Sequence, residues 1–359
     1  MSKAAELAAL IGSQTALSNR NLVINGAMNV AQRGTSFTSI AHDDYSLDRY
    51  IVQLNGLDGN VDIEQSTTTP EGFASSMKVS VDASNSTLDA SDYLAVQTRF
   101  EGQDLQHLKK GTSNAESITF SFFVRSSVAS TYTLQLKDND NTRQIAATYT
   151  INSANTWEYK TITFAGDTTG TFDDDNALSL QVIFWIDSGT TFTSGTLDTS
   201  WATQTNANRV DDTTGWLISS TPTFYITGIQ FEVGEQATPF EHRSFGDELA
   251  RCQRYFEKTA DPSGGITDTS AGYVNRRDGT ASTVARYYDI RYKVHKRAIP
   301  AVTTYDTNSP PNTGKLRLDA TQNVGAVIFG SGTSGFNLYS NSSANHYGVQ
   351  FGYYVDAEL

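Results

Sequence analysis

The chain has 359 residues, 38% hydrophobic and only 18% charged, a length that calls for two or three domains. No run of about 18 apolar residues occurs, which excludes a helix that crosses a bilayer, and a single cysteine, Cys252, excludes an intramolecular disulfide framework and reads as folding in a reducing cytoplasm. The net charge of −13 is uneven: residues 259–359 carry 9 Lys/Arg against 8 Asp/Glu and residues 1–258 carry 17 against 31, so the larger portion lacks the cationic surface that nucleic-acid binding needs.

Ala4, Leu7, Ala8 and Ile11 recur at helical spacing and predict a three-turn amphipathic helix whose stripe must dock on something. From Asn21 the pattern is β. Leu22-Val-Ile opens a strand that stops at the turn pair Asn25-Gly26, and further strands are expected at 49–54, 77–81, 93–100, 117–125, 131–136, 145–150, 158–164, 178–186 and 224–233. Ile118, Phe120, Phe122 and Val124 alternate with more polar neighbours, as in a sheet buried on one face. Asp/Asn-rich clusters separate the strands, and many short strands with polar turns describe an antiparallel sandwich. Residues 187–216, rich in Thr, Asp and Asn, read as a large surface loop carrying Trp201 and Trp216.

The period then changes. Phe245, Leu249, Cys252 and Phe256 fall four, three and four apart, predicting a helix that starts at an imperfect capping box, Ser244-Phe-Gly-Asp247. Cys252 on that stripe reads as a small buried hydrophobe. The last hundred residues are β again: Tyr288, Ile290, Tyr292 and Val294 alternate with polar residues, strands follow at 324–329 and 335–339, and Val349, Phe351, Tyr353 and Val355 build the final strand into a sheet.

Few constellations carry chemistry. Gly330-Ser-Gly332-Thr-Ser-Gly335 matches a dinucleotide fingerprint but precedes strand-like sequence, so it reads as a glycine-rich hairpin. Asp138-Asn-Asp140-Asn begins like an EF-hand loop, yet its sixth and twelfth positions are Arg143 and Tyr149. No cofactor is implied, and the Asp runs leave room for a structural calcium ion without calling for one. The five histidines show no metal spacing and no G-x-S-x-G occurs, so no catalytic or metal-binding residue is assigned. Aromatic residues in polar loops, Trp201, Trp216, Tyr273, Tyr339 and Tyr347, are the candidates for stacking on sugar faces.

Asn21-Leu-Val-Ile-Asn-Gly-Ala-Met-Asn-Val-Ala-Gln-Arg-Gly-Thr-Ser-Phe37 with Asp48-Arg-Tyr50 resembles the opening of a module of phage tail-fibre proteins, especially marine ones. Gly228–Gly234, Ala237–Arg243, Glu248–Tyr255, Lys296–Pro300 and Asp356–Leu359 resemble its later segments. The resemblance implies a mainly β protein: an N-terminal docking segment (1–20, through Leu7 and Ile11), a carbohydrate-binding-module-like jelly roll (21–242), a connecting helix (243–258) and a C-terminal β domain (259–359). It further implies a non-catalytic, homotrimeric part of the virion tail, assembled in the host cytoplasm. Its partners would be another virion protein and a host surface polysaccharide. A purely structural fibre adaptor and a polysaccharide depolymerase are the alternatives. The helix stripe would hold the trimer.

Overall fold

The computed structural model describes residues 19–261, 265–268, 272–282, 287–319, 322–341 and 346–359. The helix expected around Leu7 and Ile11 lies outside the described residues. The chain forms two compact units, one of residues up to Asn29, Ser36–Ser46 and Tyr50–Arg243, the other of Val30–Thr35, Leu47–Arg49 and Ser244–Leu359. Two short pieces from within the expected jelly-roll span of 21–242 therefore belong to the second unit, and so does the connecting helix.

The first unit is an antiparallel jelly-roll sandwich. Its elements are β1 (Ser36–Phe37), β2 (Ile51–Asn55), β3 (Val61–Ser66), β4 (Ser76–Val81), β5 (Tyr93–Glu101), β6 (Ile118–Ser126), β7 (Thr131–Asp138), β8 (Arg143–Thr150), β9 (Glu158–Phe164), β10 (Leu178–Ser188), helix α1 (Thr190–Thr193), β11 (Ala202–Thr203) and β12 (Thr223–Val233). One six-stranded sheet runs β1-β3-β4-β12-β6-β9 and the other β11-β8-β7-β10-β5-β2. Leu94, Val96, Leu134, Leu136, Val182 and Phe184 of the second sheet are buried, as are Phe120, Phe122, Phe224 and Phe231 of the first. Alternation sends every other side chain of each strand into this core.

Leu22–Ile24 is not a strand. The Asn21 side chain takes up the backbone of β12 instead, donating to Ile229 O (3.1 Å) and accepting from Phe231 N (3.0 Å). The register of β12 shifts between Thr227 and Gln230, where Gly228 adopts a φ of 63°. A Cβ there would lie 2.7 Å from the Phe73 ring, so the bulge requires glycine for two reasons.

The second unit holds helix α2 (Phe245–Gln253) and β13 (Phe256–Lys258), β14 (Val274–Ser282), β15 (Tyr287–Arg291), β16 (Ala301–Tyr305), β17 (Lys315–Leu318), β18 (Gln322–Ser331), β19 (Gly335–Asn341) and β20 (His346–Asp356). Strand β20 is its spine, pairing with β13, β14, β16 and β17. The glycine-rich segment is the β18–β19 hairpin, closed by Gly332 N donating to Gly335 O (2.9 Å). Ser244 caps α2 by accepting from Asp247 N (3.2 Å).

The helix is shorter than its expected stripe. Phe256 lies beyond it, because pairing with Asp356 draws the chain into β13. Cys252, Tyr255 and Phe256 are buried within the unit, Leu249 is half-buried, and Phe245 remains 53% exposed. Burial pushes the Cys252 thiol well above its ordinary range, which suits a hydrophobe and not a nucleophile.

Around α2, segments far apart in sequence converge on a buried ionic cluster. Arg33 reaches Asp356 (3.0 Å) and Glu358 (3.3 Å), and Arg49 donates to the other Glu358 oxygen. The Arg33 guanidinium lies 3.8 Å from the Phe256 ring centroid and that of Arg49 3.4 Å from the Tyr255 ring. Gln32 bonds both oxygens of buried Asp48 (2.6 Å each) and donates to Phe256 O (2.9 Å). Nearby, fully buried Lys296 and Glu257 pair at 2.7 Å.

Candidate functional site

The second sheet of the jelly roll has an outward face that is not ordinary solvent surface. Its register places side chains in three rows: Ala95, Trp185 and Thr133; Gln97, Ile183 and Gln135; Arg99, Gln181 and Lys137. Gln53 of β2 stands beside Ala95. These rows floor a cavity of about 230 Å³, which Asp43, Tyr93, Phe192 and Arg209 help to line.

One wall is the segment expected to be a large surface loop. After β10, the chain turns through α1 and lays Phe192 on Trp185 (ring centroids 5.2 Å) and on Tyr93 (5.1 Å). With Ala95, Ile183 and Val210 these rings form a small apolar cluster on the outer face. Arg209 covers it, its guanidinium 4.7 Å from the Trp185 ring centroid. The segment is anchored by buried Asp187, which accepts from Thr214 N (2.9 Å), Leu217 N (2.9 Å) and the Thr213 hydroxyl (2.8 Å). Asp198 accepts from the Gln144 amide (2.6 Å). A Thr/Asp/Asn-rich stretch therefore folds through side-chain bonds to backbone donors, not through hydrophobic periodicity.

The amides of the floor are oriented by their neighbours. Gln135 Oε1 accepts from Trp185 Nε1 (2.9 Å) and Arg209 Nε (3.2 Å), while its Nε2 donates to Gln144 (2.9 Å). The Gln97 amide oxygen, turned as its surroundings require, accepts from the Arg99 guanidinium at 2.8 and 3.0 Å. Asp43 takes the Gln53 amide and lies 3.4 Å from Arg99. Burial lowers Arg209 to about 10, partly countered by Tyr93. Lys137 is lowered by burial and then by the like charges of Arg209 and Arg99.

The five aromatic residues singled out in the sequence are not gathered here. Trp216 is fully buried, 0% exposed, so it offers no face to a ligand. Trp201 is half-buried, donates to Ala165 O (2.9 Å) and stands beside Lys110. Tyr273, Tyr339 and Tyr347 belong to the second unit. Tyr339 is half-buried beside exposed Tyr287 and Phe329, with ring centroids at 5.5 and 5.9 Å; Tyr273 and Tyr347 are exposed. Sequence reasoning missed Tyr93, Gln97, Gln181, Trp185, Phe192 and Arg209. The signal was the second face of two strands it did identify: Tyr93-x-Ala-x-Gln-x-Arg99 and Gln181-x-Ile-x-Trp185 alternate polar and aromatic side chains against a buried set.

Asp43 is the one carboxylate among the lining residues, whereas glycoside cleavage ordinarily uses two. Among the described residues no three His, Cys, Asp or Glu side chains gather to hold a metal ion, and no helix is long and apolar enough to cross a membrane.

No protein-family model matches the sequence, and no curated protein is significantly similar to it. Solved structures do match in part. A tailspike protein 4 enzymatically active domain of bacteriophage CBA120 aligns over 55% of this chain and 21% of its own, at 8% identity and a TM-score of 0.29. A family 11 carbohydrate-binding module from Clostridium thermocellum, in complex with a β-1,3-1,4-mixed-linked tetrasaccharide, aligns over 57% and 99%, at 12% identity and 0.29. A putative sugar-binding protein from Bacteroides thetaiotaomicron aligns over 59% and 99%, at 11% identity and 0.33.

Proposed function

We propose that the jelly roll binds a glycan in the groove of its second sheet without cutting it, and that it does so for a phage tail fibre adsorbing to its host. The observation that carries the reading is the groove floor, where an aromatic end built of Tyr93, Trp185 and Phe192 is continued along the sheet by the amides of Gln53, Gln97 and, farthest from the rings, Gln181. Planar amides hold hydroxyls in fixed directions, and a flat ring covers the apolar face of a sugar. A rigid sheet holds both in register, so little ordering is left for binding to impose.

The tail-fibre part of the reading is supported by the sequence segments from Asn21 to Phe37 and from Gly228 to Tyr255. The chain acts as a homotrimer, docked on another virion protein through Leu7 and Ile11. Incubating the purified protein with host surface polysaccharide tests the function. Retention without shortening is expected, and Tyr93→Ala and Gln181→Ala should abolish it while leaving the circular dichroism spectrum unchanged. Shortening would make the protein a depolymerase, and no retention would leave a purely structural fibre part. Immunogold electron microscopy of particles checks the location on the tail.

A further inference from the structure

We infer that the groove selects an acidic glycan, one whose carboxylate or sulfate group sits over Gln181 between Arg99 and Lys137. The inference rests on the reading of the groove as a glycan site and adds the chemical class of its ligand.

Three cations, Arg99, Lys137 and Arg209, line one cavity of about 230 Å³ and face a single acid, Asp43. The chain has a net charge of −13, and its acids lie mostly outside the last hundred residues, so a positive recess in this unit runs against its overall charge. Asp43 does not neutralise the group. It bonds Gln53, lies 3.3 Å from the His42 ring and, of the three cations, approaches Arg99, from the β2 side of the sheet. Among the described residues neither Lys137 nor Arg209 is paired with a carboxylate; Arg209 spends its Nε on the neutral Gln135 amide.

The register fixes where an anion would go. Arg99, Gln181 and Lys137 occupy one row, on β5, β10 and β7. Adjacent strands lie about 4.8 Å apart, so the two cations flank Gln181 at roughly 10 Å from Cα to Cα. Long side chains from both sides can converge on an oxyanion there, with the Gln181 amide beneath it. Partly buried cations bonded to an anion interact more strongly than the same groups in water. The aromatic end, with Trp185 and Phe192, lies four residues further along β10, or roughly 13 Å away. A ligand using both ends is longer than one sugar ring, and its charged unit is offset from the unit that meets Tyr93.

Affinity electrophoresis in gels containing polygalacturonate, dextran sulfate, uncharged dextran or polyglutamate tests the inference. Retardation by polygalacturonate or dextran sulfate is expected, weakening as salt is raised, with none by polyglutamate. The first two gels tell a carboxylate from a sulfate preference. Lys137→Gln and Lys137→Glu should each weaken binding roughly tenfold to a hundredfold, with unchanged melting temperature as the check on folding; among the described residues the Lys137 side chain makes no hydrogen bond or ion pair that the substitutions would remove. Equal retardation by dextran, or binding indifferent to both Lys137 variants, overturns the inference and spares the glycan reading. Retardation by polyglutamate as strong as by the glycans reduces the groove to a polyanion surface and overturns both. No retardation in any gel also counts against both.

Discussion

Glu358 stands between two arginines that come from distant parts of the chain, Arg33 and Arg49, and all three are buried. Removing the carboxylate takes from both guanidinium groups the acid they share, while Arg33 keeps Asp356. Breaking such a pair costs about 3–5 kcal/mol, so Glu358→Ala should lower the unfolding free energy of the second unit, measured in urea, by that much and leave the jelly roll's transition in place. Glu158 sets a pH dependence in the first unit. Burial opposes its ionisation, but Lys160 and the amide donors of Ser153 and Asn152 prevail and hold its carboxyl at about 2, below the ordinary 4.5. Asp167 is lowered in the same way, where burial is outweighed by Arg143, the Thr169 amide and Lys110. A depressed carboxyl contributes stability above its unfolded pKa and loses it as pH falls through the folded value. Thermal scans of the first unit should therefore be flat above about pH 5 and fall towards pH 2, with a shallower fall in Glu158→Gln. The sequence announced neither effect. Glu158 and its donors are neighbours in a polar turn with no special spacing, and Arg33, Arg49 and Glu358 are joined only by the fold. Segments around Arg33, Asp48-Arg49 and Asp356–Leu359, far apart in sequence, meet in this cluster, and Arg297 donates beside it to Ala357 O (2.6 Å) and Glu358 O (2.8 Å).

Strand β20 carries more partners than any other in its sheet, and one residue of it shows how tight that arrangement is. A Cβ on Gly352 would come 2.1 Å from the Tyr305 ring, which is itself buried and paired with Gly352 across β16. Gly352→Ala must move the ring or the strand, at about 1–3 kcal/mol, and should be seen as unfolding of the second unit at lower denaturant. Elements of this kind were readable when both period and apolar content were strong: Ile118–Ser126, Glu158–Phe164 and Thr223–Val233 lie within a residue or two of expectation. Val61–Ser66 was missed because Val61 and Ile63 are its only apolar residues, and Lys315–Leu318 because it is four residues long. Leu22–Ile24 misled in the opposite direction, being apolar enough for a strand yet taken up by the Asn21 side chain. The groove wall at residues 187–216 could not be read at all from periodicity, since its order comes from Asp187 and Asp198 binding backbone and amide donors. Asp187→Ala should therefore release that wall, raising proteolysis within 190–216 and destabilising the first unit by about 1–3 kcal/mol.

Two compact units of different charge make separate unfolding transitions the expectation for the whole chain. On the second unit, Tyr287 and Phe329 are 69% and 54% exposed and meet Tyr339 in one patch, and Phe245 is open on α2. Uncovered aromatic surface of this kind favours association, and the proposed trimer would use it. Sedimentation equilibrium should give three times 39.1 kDa, falling to one chain in Phe329→Asp or Leu249→Asp; a wild-type mass near 39.1 kDa refutes the trimer. The ionic cluster also has a temporal meaning. Arg33 and Arg49 are synthesised well before Glu358, whose counter-charge follows 325 and 309 positions later. At ~5–20 residues per second, the two arginines wait roughly 15–65 s for Glu358. The jelly-roll strands are all translated in that interval, while the second unit cannot close until its last strand emerges. A gene cut at Arg243 would therefore yield a downstream fragment that carries Glu358 without either of the arginines it was made to meet.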